Sequence, residues 1–402
     1  MDNKIGLYNI TSYVQSNTLL NRGLLEAGGV VIPQIIMSNN SSEAVERGAL
    51  ELIYSAIAFL SPLVLLPQFN KYFLKKSGIL KDINSAEKKI LEVSKKYLTK
   101  DADLMIKGIK ETANQLDKGK DVHKKAFNDI LARFQNKEEL RQKLLTTHKN
   151  IYTSDFLTTA WMLGISPWII QEYTEHKTNK KGYSGAFDLK EQDFDEKKYK
   201  SAKLIKMALN VLFATIPALV VPKIVTKGIA QDLMPYLKSK NSLKQSYGRF
   251  LNIIKKNASN FDYTNSIFMS KTIFALIWLF SDYPNGLICS RDKYERKDRA
   301  IRYGTMNLMF FGGDLVLCGI FGKMADKYLG TKIMNGWQMK SLKELAVKNN
   351  LNRTKNIATG IYWMSLFINM ALLGFGLPAF LNKMLRNDIA NDKTKKTKAG
   401  ME

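Results

Sequence analysis

The sequence predicts an all-α fold, a multi-pass or partly re-entrant helical membrane protein with a basic amphipathic helical region. Three observations carry that expectation. Residues 356–382 hold 27 positions without one charged side chain, in a chain whose charged fraction is 24%. About 20 uncharged, mostly apolar residues suffice for a helix to cross ~30 Å of hydrocarbon. The remaining apolar residues are clumped in the same way, and the polar stretches between clumps show a helical period.

Six clumps follow one another along the chain. The first, residues 52–70, is uncharged over 19 positions. It follows Asn40-Ser-Ser-Glu43, a pattern resembling a capping box with Asn as the cap, so a helix is expected to begin there. Residues 156–171 and 207–222 are uncharged over 16 positions each, short for a span unless Lys203 and Lys206 snorkel toward headgroups. Residues 263–281 form a span only with Lys271 in their middle, and residues 303–322 are divided by Asp314. The sixth clump is the long uncharged run. The expected organisation is an N-terminal segment (1–48), a first hydrophobic helix (49–70), a basic helical region (71–155), a hydrophobic helical region with polar loops (156–382) and a basic tail (383–402).

The region 71–155 carries apolar residues at helical spacing: Ile90, Val93 and Tyr97; Met105, Ile109, Ala113 and Leu116; Phe127, Ile130, Leu131 and Phe134. Its polar faces are rich in lysine, with 20 Lys and Arg in the region. A solvated bundle is the plain expectation, with adhesion to anionic lipid headgroups as the functional one. The same rule of positive charge places this region on the cytoplasmic side, although the alternation along the chain is shallow, and the basic tail favours an odd number of crossings.

A formal charge of +25 and a pI near 9.7 suit a polyanionic partner, either nucleic acid or an anionic leaflet. Nucleic acid is disfavoured because no base-reading or stacking pattern is visible. Cys289 and Cys318 suit neither a disulfide framework nor a zinc site. His123, His148 and His176 lack metal or relay spacing, and no phosphate-cradling or nucleophile motif occurs, so catalysis and cofactors are not expected. The first residues lack a basic stretch followed by an apolar core, so no cleavable signal is expected there.

Three residues are candidates for an intramembrane polar site: Asp314, Lys271 and Asn369. An ionisable group in hydrocarbon is costly and points to a pathway or binding role. Against this, Gly312-Gly313 is expected to break the helix and Asp314 to cap the next one. Asn369 is expected to join helices by a hydrogen bond. A Pro-x4-Pro spacing recurs at Pro62/Pro67 and Pro217/Pro222, where each proline is expected to stop or kink its helix. The run Arg291–Arg299 alternates charge and reads as a solvated, membrane-proximal helix. The chain is therefore expected to lie in the cell membrane as a structural or membrane-organising component, with helix-helix self-association. The alternatives are a small-solute or ion transporter and a soluble or peripheral nucleic-acid binder.

Overall fold

A computed structural model describes residues 7–399 apart from 17, 82–84, 95–100, 118, 190–194, 231, 257–274, 343 and 346–351. Among these described residues the fold is all-helical apart from one two-stranded hairpin, β1 (Met334–Asn335) and β2 (Gln338–Met339). The helices, in chain order, are α1 (Leu7–Ser16), α2 (Thr18–Glu26), α3 (Ile32–Ile36), α4 (Ser41–Lys76), α5 (Ser85–Ser94), α6 (Ala102–Asp117), α7 (Val122–Leu131) and α8 (Lys137–Thr178). They continue as α9 (Glu196–Ala230), α10 (Met234–Leu237), α11 (Ser242–Lys256), α12 (Tyr283–Cys289), α13 (Lys293–Leu329), α14 (Asn352–Ala371) and α15 (Leu377–Ala399). Short π-helical turns occupy Ala27–Val31, Trp278–Asp282 and Leu372–Gly376.

Among the described residues, three helical segments are long and apolar enough to cross a membrane: Lys197–Ile229, Lys293–Leu329 and Asn352–Lys395. They contain the clumps at 207–222, 303–322 and 356–382. The clump at 156–171 lies in α8, which does not reach that standard, and most of 263–281, including Lys271, lies outside the described residues. The central part of α9 is covered little by the protein. Leu204, Ile205, Val211, Leu212, Phe213 and Ile216 are all exposed along it.

The chain forms two compact units, and α4, α8 and α9 each supply residues to both. The first unit comprises Met1–Ala56, Leu163–Asn210 and Asp282–Glu402. Here α13 packs along α14, and the N-terminal segment lies against α14 and the π-helical turn Leu372–Gly376. Thr11 accepts from the Trp363 indole at 2.7 Å, a side chain on Gly28 would run into Met370, and one on Gly374 would run into Pro33. Asn382 closes the row by donating to the Met37 carbonyl at 2.6 Å. The cap expected before α4 is formed: the Glu43 amide donates to Asn40 Oδ1 at 2.9 Å, while Glu43 Oε2 accepts from the Asn39 amide at 2.6 Å. That satisfies two orphan amides at the helix start.

The second unit comprises Ile57–Met162 and Val211–Ser281. Its core joins the apolar stripes of α5, α6 and α7 to the first turns of α8, through Ile90, Met105, Ile109, Phe127, Ile130 and Leu144. Lys88, Lys89, Lys107, Lys110, Lys124 and Lys125 point to solvent. The 3.6-residue period thus does what the sequence predicts, burying one face and solvating the other. Val93 and Tyr97 lie outside the described side chains.

Two expectations about helix ends are overturned. The prolines do not stop their helices: α4 continues through Pro62 and Pro67, and α9 through Pro217 and Pro222. A proline removes one amide and crowds one carbonyl, and these helices, of 36 and 35 residues, have enough other turns to carry that loss. Likewise α13 runs unbroken through Gly312-Gly313, so Asp314 caps nothing. The turn that does end α13 is at Gly330, in the left-handed region at φ 65°.

Candidate functional site

The chemistry of the first unit is concentrated in a buried ionic network built on α4 and α13. Asp292 caps α13, accepting from the amides of Tyr294 and Glu295. Arg291 directly precedes that cap, and Glu295 and Arg299 follow at four-residue spacing on one stripe, with Asp298 and Arg302 beside it. Residues four apart share a helix face. That face is buried, with Arg291 6% and Glu295 1% exposed. The run therefore forms no solvated helix, contrary to its reading from sequence. Alternating charge at this spacing is equally compatible with a ladder facing inward, provided a second element supplies counter-charges.

Helix α4 supplies them. Glu295 takes Arg299 at 2.7 Å and Arg291 at 3.1 Å, and Gln171 of α8 donates to it at 3.2 Å. Arg291 also reaches Glu46 at 2.6 Å and Glu175 at 3.7 Å. Beside this group, Asp298 holds Arg302 at 2.8 Å and Arg47 at 3.4 Å. Arg47 is further paired with Glu43 and donates to the Tyr183 hydroxyl oxygen at 2.7 Å, while Arg302 donates to Gln34 at 3.1 Å. Each of these bonds trades lost hydration for a charge-assisted contact, which holds helix register only while both partners remain.

Three further carboxyl groups, on α2, on α4 and ahead of α12, are without such pairing among the described residues. Glu26, Glu51 and Asp282 are 7%, 3% and 0% exposed. Ser55, one turn from Glu51, donates to Glu26 at 3.0 Å. Burial raises the pKa of Asp282 to about 8, with the Glu51 charge adding to the shift. Burial likewise raises Glu26, assisted by Glu51, and raises Glu51 against the opposing pull of Arg302 and Arg47. Burial also pushes the neighbouring Cys289 thiol up to about 12, so it stays a protonated, inert side chain.

The residues singled out from sequence lie elsewhere. Asp314 sits mid-helix on α13, where Asn369 of α14 approaches Oδ1 at 3.5 Å and donates to the Met309 carbonyl at 3.0 Å. Asn369 thus joins helices as expected, and Gly313 makes the approach possible, because a Cβ there would come within 2.5 Å of its amide nitrogen. Asp314 and Asn369 are brought together, while Lys271 lies outside the described residues. Among the described residues, no group of three or more His, Cys, Asp or Glu is placed to hold a metal ion. Comparison with family models, curated proteins and solved structures finds no match.

In the second unit, Asp155 is fully buried and burial raises its pKa to about 7. A raised pKa means the folded state favours the neutral acid. Its contribution to stability is therefore complete below about pH 4 and is lost as pH rises through about 7. Asp155→Asn, which mimics the neutral form, is expected to leave the melting midpoint unchanged near pH 4. Above pH 8 it should raise unfolding free energy by up to a few kcal/mol, read from melting curves across pH.

Proposed function

We propose that this chain is a multi-pass integral protein of the cell membrane with a structural or membrane-organising role and no catalytic one. The observation that carries the membrane part is the exposed apolar course of α9. Leaving large hydrophobic side chains in water costs ~25 cal/mol for each Å² of apolar surface, so a continuous exposed row requires an apolar cover, which acyl chains provide. The structural part rests on the ionic network. Its four arginines are occupied by carboxylates of the same chain and so serve to tie helices together. The lysine-rich face of the second unit suits anionic headgroups, at ~1 kcal/mol per basic residue near the surface.

Alkaline carbonate washing of isolated membranes is the direct test, and the protein is expected to stay in the pellet. Release into the supernatant would end the integral reading and favour the peripheral nucleic-acid binder. Cysteines placed at Lys107 and Lys124, in a background lacking Cys289 and Cys318, are expected to resist an impermeant thiol reagent in intact cells. A transport role remains the second reading, favoured by the three carboxyl groups that no arginine pairs with directly among the described residues.

A further inference from the structure

The buried charges of the first unit do not balance. Among the described residues, four guanidinium groups are met by four carboxylates: Arg47 and Arg302 by Glu43 and Asp298, Arg291 and Arg299 by Glu46 and Glu295. Glu26, Glu51 and Asp282 are then in surplus, in a region where each uncompensated ion costs several kcal/mol. We infer that Glu26, Glu51 and Asp282 form a proton-binding site, which is charged with protons at neutral pH and releases them as pH rises.

The geometry gathers these groups around one turn of α4. Glu51, Tyr54 and Ser55 share a helix face; Ser55 donates to Glu26 on α2, and the Tyr54 phenol interacts with Asp282 ahead of α12. The charged and titratable groups facing them are Arg47 on α4, Arg299, Arg302 and Tyr303 on α13, and Cys289 on α12. Arg47 and Arg302 are already engaged by Glu43 and Asp298, so they offset the surplus only partly. An independent sign is Glu51 Oε2, a buried oxygen with no hydrogen-bond donor among the described residues. An ionised oxygen left in that state is far costlier than a neutral carboxyl group. Two of the three acids also border π-helical turns, Glu26 directly before Ala27–Val31 and Asp282 at the end of Trp278–Asp282. Such turns locally widen the helix and recur at working sites.

Because the bound form is the neutral acid, stability owed to the site is full at low pH and falls as pH rises and the protons leave. The experiment uses the purified protein carrying Asp155→Asn, which removes a further buried acid whose pKa burial raises. At about pH 7 its infrared spectrum is expected to show the carbonyl stretch of buried neutral carboxyl groups. That band should shift in deuterated water and weaken in Glu51→Gln and in Asp282→Asn. The melting midpoint is expected to fall between about pH 6 and pH 9, and to stay level in the triple variant Glu26→Gln, Glu51→Gln, Asp282→Asn. Absence of the band, or a band unchanged in both single variants, would overturn the inference. So would sodium, potassium or calcium ions that restore the midpoint at pH 9 and abolish the band, since the surplus would then be met by a metal cation. Should the triple variant not fold, the spectra of the parent and single variants still decide.

Discussion

Alanine in place of Glu295 is expected to lower the unfolding free energy by ~3–5 kcal/mol, the cost of removing one partner from a buried charge group. The magnitude follows from what is stranded. Arg291 loses three hydrogen bonds to this carboxylate, one from its own backbone amide at 2.6 Å, and Arg299 loses its 2.7 Å contact. Glu46 still holds one side of Arg291, but the described contacts of Arg299 then reduce to the Gly286 carbonyl at 3.2 Å. Both guanidinium groups stay charged and dry. The matched control is Lys297→Ala, which breaks the half-exposed pair with Asp388 at 2.6 Å and is expected to cost ~1 kcal/mol or less. Melting midpoints in detergent check both. Equal small effects would show that the network does not hold the helices in register.

Arginine at Leu372 is expected to cost ~2.5–3.5 kcal/mol of membrane insertion. Leu372 opens the π-helical turn Leu372–Gly376 near the middle of the uncharged run, and its side chain is 48% exposed, so it faces whatever surrounds the protein. Its neighbour Leu373 is 1% exposed and packs inward. The two positions therefore separate insertion from folding. Leu373→Ala should leave the carbonate-resistant fraction intact while lowering the melting midpoint, through ~2–5 kcal/mol of lost packing. Leu372→Ala should do neither. If Leu372→Arg leaves the carbonate-resistant fraction unchanged, this stretch does not lie in hydrocarbon.

What the sequence by itself determined is what neighbours along the chain decide. The 27-residue uncharged run falls within Asn352–Lys395, long and apolar enough to cross a membrane, because length and composition are local quantities. The stripes of Met105, Ile109, Phe127 and Ile130 are buried because their spacing alone puts them on one face. The cap at Asn40 formed because its partners lie within four residues.

Only the tertiary structure decided the site. Arg291, Glu295 and Arg299 have the spacing of a solvated face and of an inward ladder alike, and the choice was made by Glu46 and Gln171, 245 and 124 residues away. The clue in the sequence was that α4 carries the complementary pattern, Glu43, Arg47 and Glu51 on one stripe, although spacing cannot say that two such stripes meet. Gly312-Gly313 reads as a break, and Gly313 is instead the gap that admits Asn369. Charge and small size are properties of a residue, whereas burial is a property of what packs against it. The surplus at Glu26, Glu51 and Asp282 exists only where α2, α4 and the turn before α12 come together.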